Sequence, residues 1–278
     1  MTFIIAEAGI NHCGSIDIAK QLVDAAKYCG ADAVKFQKRT VDIVYAGQLD
    51  QPRESPYGKT LGDQKRGLEL SEQDDRELDR YCRGLGMCWF ASAWDILSLE
   101  FLKQFDLPYN KIASAMATNL DFCRAVAEEK KPTFLSTAMC TLEDTDTIRL
   151  LLLAHECKTT IMHCVGSYPA PEEDLNLNMI PRLRQMFGDH CQIGYSGHEV
   201  SVSPSVMAAV LGATAIERHI TLDRAMYGSD QSASLEPVGF KTMVEQIRKI
   251  PKVLGDGIKR ITPTEEFVAK KLRYWQPK

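Results

Sequence analysis

The sequence predicts a single (β/α)8 barrel, and three observations carry that prediction. Eight short apolar runs, near 3–8, 33–37, 87–92, 110–114, 132–137, 160–165, 192–196 and 214–219, alternate with stretches of helical period. Most are continuously apolar rather than alternating, which suits strands buried on both faces of a parallel sheet. Polar residues gather where the runs end, the place at which such barrels carry their chemistry. An open doubly wound sheet is the other arrangement of these units, but no G-x-G-x-x-G follows the first run. The expected division is a barrel over 1–262 with a C-terminal helix and tail over 263–278.

The helices follow in order. Ala19, Leu22, Val23 and Ala26 make the first apolar stripe at a period of 3.6. Ser71-Glu72-Gln73-Asp74 reads as a capping box opening a helix that runs to about Leu85. Ile96, Leu99 and Leu102 mark a helix over 95–104, and another follows Thr118 to about Glu129. Thr141-Leu142-Glu143-Asp144 caps a helix containing Ile148, Leu151 and Leu152, and a short one is expected over 178–187. Ser203-Pro204 is a helix start with proline in the first turn. Phe240, Val244 and Ile247 form the stripe after the eighth strand, and Thr262-Pro263-Thr264-Glu265 starts the last helix, with an exposed tail over 270–278. The stretch from Lys38 to Leu70 is too long for a plain connection and reads as a lid or binding loop. The polar segment Tyr227-Gly228-Ser229-Asp230-Gln231 is a second expected wall.

Composition narrows the function classes. A net charge of −4 without a basic block argues against nucleic acid or an anionic membrane as partner. The longest aliphatic run, Leu150 to Ala154, is far too short to span a bilayer. The start, Phe3-Ile4-Ile5-Ala6, has no basic leader segment. The nine cysteines show no C-x-x-C pair, so they read as reduced thiols of a cytoplasmic protein, mostly core filler.

The strand-end residues form one set: Glu7, Lys35, Gln37, Ser92, Lys111, Ser114, Ser136, Tyr168, Ser196, His198, Glu217 and His219. Taken singly, each has an ordinary explanation: a rim lysine, a capping serine, a strand-end histidine held by hydrogen bonds, or a Glu7 paired with Lys35. Together, two lysines and several hydroxyls make a site for phosphate or carboxylate oxygens. His198 and His219, at adjacent strand ends, can share a divalent cation that polarises a carbonyl. That combination suits carbon–carbon bond formation between a phosphorylated acid and an aldehyde. A Schiff-base aldolase using Lys35 or Lys111 is the alternative that needs no metal.

The motifs carry a resemblance. Ile4-Ile5-Ala6-Glu7-Ala8-Gly9-Ile10-Asn11-His12 and Ala31-Asp32-Ala33-Val34-Lys35-Phe36-Gln37 resemble the opening of the sialic acid synthase (N-acetylneuraminate synthase) family. Lys111-Ile112-Ala113-Ser114, Leu135-Ser136-Thr137, His163-Cys164 with Tyr168-Pro169, Gly194-Tyr195-Ser196-Gly197-His198 and Glu217-Arg218-His219 continue it in order across the barrel. The resemblance implies a transferase that condenses phosphoenolpyruvate with an open-chain aldose such as N-acetylmannosamine, giving a nonulosonic acid and phosphate. It implies Mn²⁺ or Mg²⁺ on His198 and His219. Phosphoenolpyruvate would lie on Lys35, Ser92, Lys111, Ser114, Ser136 and Ser196. Glu7, Gln37, Tyr168 and Asp230 would face the sugar, with Glu7 and His219 as catalytic groups. It also implies a homo-oligomer, a dimer or larger.

Three departures stand out. The chain stops where the family usually continues into an antifreeze-like domain. Met116 and Gly166 stand where the family has polar groups in the pocket. These leave the phosphoenolpyruvate and metal sets intact and put the acceptor in doubt. The alternatives are a synthase of a different 3-deoxy-ulosonic acid and a non-catalytic barrel that binds phosphoenolpyruvate or a sugar acid.

Overall fold

The computed structural model describes residues 1–275. Eight parallel strands close into a barrel: β1 (Phe3–Gly9), β2 (Ala33–Lys38), β3 (Cys88–Ala93), β4 (Asn110–Ile112), β5 (Thr133–Ser136), β6 (Thr159–Cys164), β7 (Gln192–Gly197) and β8 (Ala215–His219). Each pairs with its neighbours in sequence, and β8 returns to β1. The predicted fold class is therefore the observed one. Predicted strand ends fall within two residues of the observed ones, as fraying ends usually do. Ser114 is the exception of note, lying in a 3₁₀ turn just past β4.

Contacts divide the chain into Met1–Arg248 and Lys249–Lys278. In the first unit the helical stripes read from sequence bury the residues expected, including Ala19, Leu22, Val23 and Ala26, and Phe240, Val244 and Ile247. The helix expected after Thr118 runs over Leu120–Glu128 and is capped by Asn119. In the second unit, helix Pro263–Leu272 opens on the Thr262–Glu265 capping box. Residues 276–278 of the expected tail lie outside the described residues. No helix among the described residues is long and apolar enough to cross a membrane, and all nine cysteines are unpaired thiols.

The stretch from 38 to 70 is not a loop. It holds a short helix (Val41–Val44), an antiparallel ribbon (Pro52–Ser55 with Gly58–Thr60) and a helix (Leu61–Leu68) capped reciprocally by Thr60 and Asp63. Its anchors are specific. Tyr57 Oη donates to the Cys13 carbonyl at 2.9 Å, and Gln64 Nε2 donates to Tyr227 Oη at 2.5 Å. The ends of the stretch are tied by Arg39 to Glu69 at 2.7 Å. The helix also packs against the turn after β1 so closely that a Cβ on Gly14 would lie 2.0 Å from the Gly67 carbonyl oxygen.

Register sets the layers inside the barrel. Near the N-terminal end of the strands, Phe3, Phe90, Tyr109 and Phe134 pack together with centroids 5.4–6.0 Å apart. Toward the other end, Glu7 stands abreast of Lys35 and His219, Glu217 abreast of Ser196, and Ser92 abreast of Lys111. The same alternation that buries the aromatic layer therefore delivers one polar layer at the C-terminal mouth.

Candidate active site

At the centre of the mouth are four buried charges. Lys35 Nζ lies 2.9 Å from Glu7 Oε2 and 3.6 Å from Glu217 Oε1, and Lys111 Nζ lies 3.1 Å from Glu217 Oε2. Burying charge is costly unless it is paired, and here two cations and two anions balance. Burial works against the Glu217 carboxylate, but Lys111 and Lys35 outweigh it and hold its pKa down to about 2. Burial alone would lower Lys35, yet Glu217 and Glu7 raise it above the usual lysine value. Burial lowers Lys111, which is the more readily deprotonated of the two.

Hydroxyls surround the cluster. Lys111 donates to Ser136 Oγ at 2.5 Å and Lys35 to Ser92 Oγ at 3.4 Å, while Ser196 Oγ donates to Glu217 at 3.2 Å. Ser114 Oγ accepts from the Ala138 N–H at 3.1 Å. Gln37 Nε2 donates to Glu7 Oε1 at 2.7 Å. Gly9, with φ of +51°, lets β1 turn away beside them, and a Cβ there would lie 3.2 Å from both Gln37 Nε2 and Glu7 Oε1.

The two histidines sit side by side with ring centroids 5.5 Å apart. His198 Nδ1 lies 2.6 Å from the Val165 carbonyl, which can only accept, so Nδ1 carries the proton and Nε2 the lone pair. The Tyr168 hydroxyl donates to that lone pair at 2.9 Å. Burial and the neighbouring His219 lower the His198 pKa to about 3, so the ring is neutral. His219 Nδ1 is buried without a hydrogen-bond partner, and Asp230 Oδ2 is 3.8 Å away.

These features suit a divalent cation. Imidazoles are good metal donors; that of His198 has its tautomer fixed from behind by a carbonyl, and that of His219 carries an orphaned nitrogen. Among the described residues no group of three or more His, Cys, Asp or Glu side chains converges on a metal position. The remaining ligands would therefore come from water and substrate.

One cavity of ≈ 150 Å³ is lined by Glu7, Lys35, Gln37, Ser92, Ser114, Ser136, Tyr168, Ser196, His198 and His219, so the structure brings ten residues named from sequence into one space. Lys111 is one contact behind it. Asp230 stands at the rim beside His219. Gly166 lines the cavity, but Met116 does not, because its 3₁₀ turn carries it past the wall; its effect on the pocket, expected from sequence, is not direct. Glu217, one of the strand-end set but given no role from sequence, and Trp94, not singled out at all, also line the cavity. Glu217 had a signal, a carboxylate two residues before His219 on a strand and hence on the same face. Trp94, one residue past β3, had none.

The comparisons agree with this geometry. Residues 22–259 match the NeuB family. This chain belongs to the NeuB family. It is 37% identical over 273 residues to N-acetylneuraminate-9-phosphate synthase of Homo sapiens, covering 97% of this chain and 76% of that protein. It is 35% identical over 272 residues to the N,N'-diacetyllegionaminic acid synthase of Legionella pneumophila, covering 95% and 76%. Its fold superposes on the N-acetylneuraminic acid synthetase of Leptospira borgpetersenii with a TM-score of 0.84 and 27% identity, covering 98% of this chain and 93% of that one. As a member of this family of sugar-acid synthases, the chain is a synthase.

Proposed function

We propose that this NeuB-family chain condenses phosphoenolpyruvate with an aldose to give a nonulosonic acid and inorganic phosphate. The observation that carries the reading is the convergence of Lys35, with Lys111 one contact behind it, the His198 and His219 imidazoles and the Glu7–Gln37 pair on one cavity at the C-terminal mouth. Lys35 and Lys111, with Ser92, Ser114, Ser136 and Ser196, hold the phosphate and carboxylate of phosphoenolpyruvate. Their positive charge is already balanced by Glu7 and Glu217, so a multiply charged anion needs further positive charge. His198 and His219 would hold a divalent cation, Mn²⁺ or Mg²⁺, which would supply that charge and polarise the aldehyde.

Gln37, Tyr168 and Asp230 orient the open-chain sugar so that its C1 faces C3 of phosphoenolpyruvate. C3 attacks the aldehyde carbon, and the aldehyde oxygen takes a proton from solvent water. Water adds to C2, and Glu7, 2.9 Å from Lys35 Nζ, accepts the water's proton. The resulting C2 hydroxyl then passes its proton to the departing phosphate as the C2–O bond breaks, the phosphate still held by Lys35 and Lys111. The balance is phosphoenolpyruvate, aldehyde and water in, keto acid and phosphate out.

The test is phosphate release from phosphoenolpyruvate with Mn²⁺ and a panel of aldoses. Release with at least one is expected, and silence across the panel overturns the reading. Glu7→Gln keeps the hydrogen bond from Gln37 feasible but removes the base, so turnover should fall by about 10²–10⁴-fold. Unchanged turnover would remove Glu7 from the mechanism.

A further inference from the structure

Lys35 and Gln37 on β2, and Arg39 one residue past its end, alternate with Phe36 and Lys38, so their side chains fall on one face. Lys38 turns the other way, to Asp75 at 2.5 Å. Lys35 and Gln37 both meet Glu7: Lys35 Nζ lies 2.9 Å from Oε2, and Gln37 Nε2 donates to Oε1 at 2.7 Å. Arg39 takes the other end of Gln37, its Nη2 donating to Gln37 Oε1. Arg39 does not line the cavity, yet its charge reaches Glu7 through a single amide.

Arg39 is itself held firmly. Glu69 grips it twice: Oε1 accepts from Nη1 at 2.7 Å, and Oε2 accepts from the Arg39 backbone N–H at 3.2 Å. The guanidinium lies over the Trp94 indole, 4.7 Å from the ring centroid. The Trp94 backbone N–H donates to the Lys38 carbonyl at 3.0 Å, which seats the indole beside Arg39. Arg39 is buried, and a planar fork with a carboxylate, an amide and a ring around it has little freedom left.

A glutamine amide can turn end for end, because its oxygen and nitrogen fill nearly the same space. A guanidinium only donates, so the end facing Arg39 must be the oxygen. The NH2 group must then face Glu7, and it meets Oε1 there as a donor. With the amide reversed, two oxygens would meet at Glu7 and two donors at Arg39. Arg39 therefore sets the direction of the amide. With Lys35 on the other oxygen, the carboxylate is fixed in plane, and each oxygen keeps a lone pair for the water to be deprotonated.

We propose that Arg39 is a positioning residue for Glu7: it fixes the Gln37 amide, and the amide fixes the carboxylate that takes the proton from water. The proposal rests on the condensation reading above and adds to it a residue outside the cavity. Because Glu69 closes the 38–70 stretch on Arg39, the same contact ties that stretch to the base.

The experiment measures phosphate release from phosphoenolpyruvate with Mn²⁺ and an aldose that the wild type turns over. Arg39→Met should lower kcat about 10- to 100-fold while the KM for phosphoenolpyruvate stays near wild type. Gln37→Met should be slow in its own right, and adding Arg39→Met to it should change kcat by no more than about twofold. Should Arg39→Met not fold, Arg39→Met with Glu69→Gln takes its place, since it leaves no carboxylate without its cation. Wild-type kcat in Arg39→Met overturns the proposal and leaves the condensation reading standing. So does a double variant slower than Gln37→Met by the full Arg39 factor. A second readout needs no turnover. The Gln37 side-chain NH2 signal in a ¹⁵N-correlated spectrum, identified by its loss in Gln37→Met, should be protected from solvent exchange in the wild type and lose that protection in Arg39→Met. Protection that persists overturns the proposal. A wild type that releases phosphate with no aldose of the panel overturns the condensation reading, and the role of Arg39 in it falls too.

Discussion

His198 uses both ring nitrogens inside the protein, one on the Val165 carbonyl and one on the Tyr168 hydroxyl. A cation and that hydroxyl compete for the same lone pair. Tyr168 is 45% exposed, so its ring can move aside. Tyr168→Phe should therefore tighten Mn²⁺ binding, measured as free Mn²⁺ by electron paramagnetic resonance; a weaker Kd would mean that the hydroxyl helps to hold the metal. His12 is a second informative residue. It is buried and its Nδ1 accepts from the Gly14 N–H at 3.1 Å. Burial, then Arg39, lower its pKa from 6.5 to about 4. Its contribution to stability is complete above pH 6.5 and is lost as pH falls toward 4, because the unfolded chain takes up the proton first. The loss at pH 4 is on the order of 3 kcal/mol, and His12→Asn should flatten this part of a Tm-against-pH curve. At this scale the sequence showed which residues end the strands. It did not show that Glu217 joins both lysines, since partners are decided by register between strands far apart in the chain.

The elements around the mouth owe their placement to contacts that lie outside it. Arg218 and Glu199 point away from the cavity and pair at 2.7 Å with no solvent exposure. Arg218 also reaches Ser205 Oγ and the carbonyls of Glu199 and Ser201, and Tyr195 Oη donates to Glu199 at 2.8 Å. Each partner is one residue from a histidine, so the pair ties the loop after β7 to β8. Arg218→Met leaves the buried Glu199 carboxylate without its cation and should cost about 3–5 kcal/mol. Adding Glu199→Gln should restore part of that in denaturant unfolding; no recovery would show that the pair is not the source of the loss. The 38–70 stretch was the least legible element. Its capping box uses Asp63 in place of the usual Glu or Gln, and its helix has few apolar residues. What orders it are Tyr57, Gln64 and Arg39 reaching distant partners, which no local pattern reveals.

At the scale of the molecule the barrel separates chemistry from packing. The strand count and the polar C-terminal ends were readable because buried parallel strands leave continuous apolar runs and each run must end somewhere. The N-terminal end is aromatic. Phe134→Ala there should cost about 3–5 kcal/mol of stability while kcat changes little; a large fall in kcat would mean that the two ends are coupled. Beside that aromatic layer lies a more spacious hollow, ≈ 500 Å³, lined by Phe3, Tyr109, Phe134, Lys158, His190 and Gln192 among others, against ≈ 150 Å³ at the mouth. A fragment screen guided by room alone would fill the wrong end of the barrel, and its hits would raise the melting temperature while leaving every turnover curve where it was.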